Sequence, residues 1–253
     1  MQYTFKSYQK LIVLGLILAS ACSPSPTPEP ATSTPLAASS TPGPQSISFT
    51  TPDNAAVGGR LYGSGSTAVI FSVMGNCRQG WEQMAERVSQ SGVAALTFQW
   101  RGCKESGIVV EEELQLFVDD LRGAINFMRA QGAERIILAG ASLGGVASAK
   151  LADESQADGL IILASPAEIP EWGFEIVAED INIDVPKLFI TAENDETVAV
   201  DRSRALYDLA ADPKEWQTYP GTAHGTELFD TDSAEEVEQR ILDFISATAA
   251  SNP

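Results

Sequence analysis

From about residue 47 to the C-terminus, short apolar runs alternate with longer amphipathic stretches. TAVIFSV from Thr67, VAALTFQW from Val93, RIILAGA from Arg135, GLIILAS from Gly159 and PKLFITA from Pro186 are almost continuously apolar. Runs of this length and composition read as strands buried on both faces of a sheet. SISFTT from Ser46, VGGRLYG from Val57 and EWQTYPG from Glu215 are more mixed and read as further short strands. The stretches between them carry a helical period. GWEQMAERVSQSG reads as a helix closed by Gly92. In EEELQLFVDDLRGAINFMRAQG, Leu114, Val118, Leu121, Ile125 and Met128 share one helical face, and the acids Glu111 to Glu113 suit a positive helix N-terminus. LGGVASAKLADE and DRSRALYDLA read as two more helices. A last helix, from Ala234, turns Val237, Ile241, Phe244 and Ile245 to one side. Strand and helix in alternation predict an α/β fold with a mostly parallel central sheet and helices on both faces. Ligand sites in such sheets lie at the carboxyl ends of the strands.

Ahead of this region the pattern differs. Residues 1–21 read as an export signal: Lys6 and Lys10, then LIVLGLILA, then small residues before Cys22. The apolar run is too short for a bilayer core, which takes roughly 20 residues. LASAC resembles the lipobox of bacterial lipoproteins, which predicts lipidation of Cys22. It departs from that pattern in having Ala19, not leucine, three positions before the cysteine. Residues 22–46 are rich in Pro, Ser and Thr and hold almost no large apolar side chain, the composition of a non-globular linker. Extended, such a linker would span on the order of 70 Å. The expected organisation is a signal peptide (1–21), a lipidated cysteine with linker (22–46) and a catalytic domain (47–253). The expected location is outside the cytoplasm, tethered to a bacterial membrane or cell surface.

Charge and rare residues narrow the chemistry. The formal net charge of −18 argues against nucleic acid as a partner, since a phosphate backbone calls for a basic surface. There is one histidine, His224, so paired-histidine metal motifs are excluded. Any imidazole base must be His224. The three cysteines, Cys22, Cys77 and Cys103, have no zinc-site spacing.

Within ILAGASLGG, residues Gly140, Ser142 and Gly144 form G-x-S-x-G between a predicted strand and a predicted helix. A sharp strand-to-helix turn forces the central residue into a strained backbone and crowds the positions two before and two after it, which is why glycines occur there. The pentad alone leaves two readings of Ser142, nucleophile or helix N-cap. A serine nucleophile needs a base, and the base an orienting acid. His224 follows the last predicted strand. Asp195 lies in the turn after PKLFITA, with Glu193 as competitor nearer the strand end.

In this order the residues resemble the α/β-hydrolase family, over about Ile47 to the C-terminus. Gly-Ala-Ser-Leu-Gly-Gly is similar to its nucleophile elbow, and Ala192, Asp195 and Val198 to its acid turn. GTAHG is similar to its histidine loop, and WRGCKES, from Trp100, to its segment after the fourth strand, with Cys103 and Lys104 displacing the usual glycine. The resemblance implies Ser142 as nucleophile, His224 as base and Asp195 as orienting acid. It implies an oxyanion hole from the backbone N–H groups of Leu143 and Asn76, where Met74 stands in place of the family's usual histidine. It places Cys77 and Cys103 just beyond neighbouring strands, so that a disulfide between them is expected, two unpaired small side chains being the alternative. It leaves only residues 166–185 where relatives carry a cap, too few for a large lid. Trp172 and Phe174 there either line the cleft or pack on the core. The expected activity is hydrolysis of carboxylic esters through an acyl-enzyme, on a small-molecule or acyl substrate and without metal or cofactor. A peptidase, a thioesterase or a non-catalytic surface binding protein on this fold are the alternatives.

Overall fold

The computed structural model describes residues 43–74, 80–103 and 116–251. Eight strands form one sheet: β1 (Gln45–Thr50), β2 (Ala56–Tyr62), β3 (Thr67–Met74), β4 (Ala94–Gln99), β5 (Arg135–Ser142), β6 (Gly159–Leu163), β9 (Lys187–Ala192) and β10 (Lys214–Tyr219). Their order across the sheet is β1-β2-β4-β3-β5-β6-β9-β10. β1 and β2 are antiparallel to their neighbours, and every pairing from β4 to β10 is parallel. β1 starts at Gln45, so regular structure begins two residues inside the segment read as linker.

The apolar runs earn their central places by alternation. Successive side chains of a strand face opposite sides of the sheet. Ile70, Leu96, Leu138, Leu160 and Phe189 thus join one core, while Val69, Phe71, Ile137, Ile161 and Ile190 join the other. On the first face lie α2 (Phe117–Ala130) and α3 (Leu143–Leu151), bringing Phe117, Leu121, Met128, Val146 and Leu151. α5 (Val200–Leu209) adds Leu206 there. The second face is covered by α1 (Glu82–Ser89) and α6 (Ala234–Ala250), through Met84, Val88, Val237, Ile241, Phe244 and Ile245. Each such side chain, fully buried, contributes about 1.5–3 kcal/mol. Leu121, Ile125 and Met128 form the predicted buried stripe of α2, with Phe117 and Ala124 added and Val118 only half-buried. Glu111 to Glu113 and Leu114 lie outside the described residues.

Between β6 and β9 the chain makes a small excursion. It holds a two-stranded ribbon, β7 (Glu168–Ile169) with β8 (Phe174–Glu175), and the single-turn helix α4 (Ala178–Ile181). Phe174 meets Phe117 edge-on at 5.1 Å, and Trp172 also leans on the first core. Both aromatics therefore pack on the body of the domain. No large lid rises from this excursion.

Candidate active site

Ser142 is the last residue of β5 and the residue from which α3 starts. Its backbone is at φ 55°, ψ −126°, a conformation that L-residues rarely adopt and that costs of order 1–3 kcal/mol. What holds it there is the crossing of two glycines. A Cβ on Gly140 would run into the backbone of Gly144 and Gly145, and one on Gly144 would run into the Ser72 carbonyl of β3. Glycine at both positions lets α3 start directly against β3 and β5. Buried hydroxyls then satisfy the crowded backbone: Ser148 Oγ donates to the Gly144 carbonyl at 2.8 Å, and Ser72 Oγ lies 3.0 Å from the same oxygen. Ser142 makes no side-chain cap to α3, so the N-cap reading does not account for its hydroxyl.

The acid turn follows β9. Asp195 is buried, with its side chain fully shielded from solvent, whereas Glu193 is exposed. Of the two, Asp195 is the one that faces His224. Asp195 Oδ1 accepts from the backbone N–H groups of Thr197 at 2.8 Å and Val198 at 2.9 Å. Oδ2 is left for His224, whose Nδ1 stands 2.8 Å away. Two backbone bonds, Glu193 N to Tyr219 O at 2.9 Å and Asn194 N to Gly221 O at 3.0 Å, lash the acid turn to the histidine loop. Glu227 accepts from the His224 N–H at 3.1 Å and fixes the start of the 3-10 turn Gly225–Asp230.

That turn brings the histidine loop to Ser142. Gly225, at φ 56°, is so placed that a Cβ on it would lie 3.4 Å from Ala141 Cβ and 4.0 Å from Ser142 N. The imidazole is held at Nδ1, while Nε2 is buried and makes no hydrogen bond among the described residues. Such an unsatisfied buried nitrogen is costly unless it serves a ligand or a reaction. Catalytic bonds are commonly completed only when substrate is bound.

Of the predicted oxyanion donors, Leu143 is the first residue of α3, where backbone N–H groups lack intrahelical partners. Asn76 and Cys77 lie outside the described residues, as does Cys22. The flanks of the Asn76 loop are described. Met74 pairs in register with Ser142, and Gly80 packs so tightly on Thr226 of the histidine turn that a Cβ there would overlap its hydroxyl. Cys103 is half-buried and partnered. Arg101 of the WRGCKES segment donates through Nε to Asp120 Oδ1 of α2 at 2.6 Å and also binds Asp53.

Sequence reasoning did not single out Ser165. Its hydroxyl is buried and lies 2.8 Å from the Ser142 carbonyl. A Cβ on Gly145 would overlap it. The glycine that follows the G-x-S-x-G pentad, Gly145, was the available signal.

Residues 66–175 match the family described as serine aminopeptidase, S33. The match spans the elbow and ends before Asp195 and His224. No curated protein matches the chain. Among solved structures, an esterase of Pyrococcus furiosus superposes with a TM-score of 0.63 at 17% identity, covering 81% of this chain and 90% of its own. The esterase domain of a Rhodothermus marinus protein gives 0.62 at 15%, covering 80% and 99%. A serine hydrolase without a lid from Xanthomonas campestris gives 0.64 at 15%, covering 83% and 97%. The chain has the α/β-hydrolase fold, in a form without a large lid.

Proposed function

We propose that the protein is a serine hydrolase that cleaves carboxylic esters. The observation that carries this reading is the Asp195–His224 pair, 2.8 Å apart, with the histidine on a loop that packs against the strained Ser142. In the proposed reaction, Ser142 Oγ attacks the ester carbonyl carbon while His224 Nε2 takes the hydroxyl proton. Asp195 fixes the tautomer and stabilises the imidazolium. The oxyanion is met by the N–H of Leu143 and, from the neighbouring loop, of Asn76. Collapse of the tetrahedral intermediate breaks the bond to the alcohol, which leaves with the proton from His224. Water, deprotonated by the same nitrogen, then releases the acid. No step calls for a metal or an organic cofactor. The small excursion after β6 favours small or extended, accessible substrates.

A peptidase is the second reading, favoured by the family match over residues 66–175. A panel of p-nitrophenyl esters beside aminoacyl p-nitroanilides separates the two. The mechanism itself is tested with a fluorophosphonate probe on the wild type, S142A and H224A. Labelling of the wild type alone is expected; equal labelling of S142A would remove the mechanism, and no labelling of the wild type would favour a binding protein on this fold.

The proposal includes export, lipidation of Cys22 and a linker holding the domain off the membrane. The mass of the mature N-terminal peptide tests it, and an unmodified start elsewhere than Cys22 would end it. It also includes a Cys77–Cys103 disulfide, supported by Cys103 having a partner just beyond β4. It would tie the oxyanion loop to its neighbour.

A further inference from the structure

Resting on the reading of Ser142 as nucleophile, we infer that Ser165 is a positioning residue for the oxyanion hole, acting through the peptide between Ser142 and Leu143. Ser165 follows β6 and is buried. Its Oγ lies 2.8 Å from the Ser142 carbonyl oxygen and 3.0 Å from that of Leu163, and can donate to either. The Ser142 carbonyl belongs to the same planar unit as the Leu143 N–H. In a trans peptide the two point in opposite directions. Fixing the oxygen from one side therefore fixes the direction of the N–H on the other, toward the developing oxyanion. A donor on the carbonyl also polarises the unit and strengthens the N–H as a donor. Oxyanion stabilisation depends on such preorganisation, because donors that must reorient during the reaction lose part of their effect.

Two features show that the fold makes room for this contact. A Cβ on Gly145, the residue after the G-x-S-x-G pentad, would overlap Ser165 Oγ. Ala164, just before Ser165, sits at φ 48°, in the left-handed region that a residue with a Cβ seldom occupies. Its own N–H is held by the Ile190 carbonyl at 2.8 Å. A strained residue, a clearing glycine and a buried hydroxyl thus converge on one carbonyl oxygen, that of the proposed nucleophile.

The test uses the full chain, p-nitrophenyl acetate as substrate and phenylboronic acid as a mimic of the tetrahedral intermediate, with active sites titrated by a fluorophosphonate. In S165A we expect kcat per titrated site to fall about 30-fold with KM little changed, and boronate affinity to weaken by a similar factor. S165C, which keeps a weak donor on a larger atom, should fall between S165A and the wild type. It carries the same test where S165A does not fold. A role confined to stability would lower Tm and leave kcat per titrated site within twofold; that result overturns the inference while the nucleophile stands. No labelling of wild-type Ser142 overturns the hydrolase reading and this inference with it.

Discussion

At the scale of single residues, the site is defined by which lone pairs and protons are already engaged. Asp195 Oδ1 is taken by two backbone N–H groups, which leaves Oδ2 facing His224 Nδ1. Asp195→Asn keeps this packing but inverts the remaining interaction. The asparagine oxygen stays on the N–H groups of Thr197 and Val198, and its amide NH2 turns to Nδ1. Nδ1 must then accept, so the proton moves to Nε2, the atom that in the proposed mechanism takes one from Ser142. We expect kcat on p-nitrophenyl acetate to fall about 10⁴-fold with Tm nearly unchanged, as wrong-tautomer substitutions do. A kcat within tenfold of the wild type would show that His224 does not act through Nε2. The pairing of Asp195 with His224 was legible in the sequence because His224 is the one histidine and Asp195 lies in the turn after a buried strand. Ser165 was not, because a small polar residue after a strand is common. Its meaning lies in a contact with a carbonyl distant in sequence.

At the scale of elements, one question is how β5 and α3 meet. Gly140→Ala places a methyl into the backbone of Gly144, which has no rotamer with which to yield. We expect a loss of about 3 kcal/mol, or a Tm lower by roughly 6–12 °C for a domain of this size. A thermal melt checks it. A second joint ties β4 to α2. The Asp120 side chain is fully buried and bound twice by Arg101, through Nε at 2.6 Å and through the backbone N–H at 2.8 Å. Burial pushes the Asp120 carboxyl above its ordinary value, against the pull of Arg101. Arg101→Met removes the cation and leaves the buried carboxylate behind, at a cost of about 3–5 kcal/mol at neutral pH. The sign of its pH dependence follows from linkage. A carboxyl whose folded pKa is raised contributes its stability below the unfolded pKa and loses it as pH rises through the folded value. The deficit of R101M against the wild type should therefore shrink between pH 8 and pH 5, read from urea midpoints. A deficit that stays flat would mean that Asp120 is not the group left uncompensated. The parallel strands were readable as continuous apolar runs, and α2 and α6 as one-sided ones, since each needs only its own buried surface. The partners that Arg101 takes were not, because Asp53 and Asp120 come from two other elements and meet it only in the folded chain.

At the scale of the whole molecule, 34 acidic side chains against 16 lysines and arginines surround the site with a negative field. Glu193 and Glu196, close to Asp195 in the acid turn, and Glu227 and Asp230 of the histidine turn are exposed acids on the two loops that hold the proposed base and its partner. With no large lid to screen the approach, an anionic ester meets repulsion that a neutral ester does not. Salt shortens the reach of the repulsion, to about 10 Å at 0.1 M and about 3 Å at 1 M. For p-nitrophenyl acetate, kcat/KM should then change little with added NaCl. For the mono-p-nitrophenyl ester of succinic acid, which carries one carboxylate, it should rise about threefold between 10 mM and 500 mM salt. Glu196→Lys should flatten that rise by reversing one charge near the approach path while leaving Asp195 and His224 in place. An anionic rate that falls with salt would instead reveal local attraction at the cleft, strong enough to overcome the net charge of −18, and would redirect the substrate search toward anionic esters.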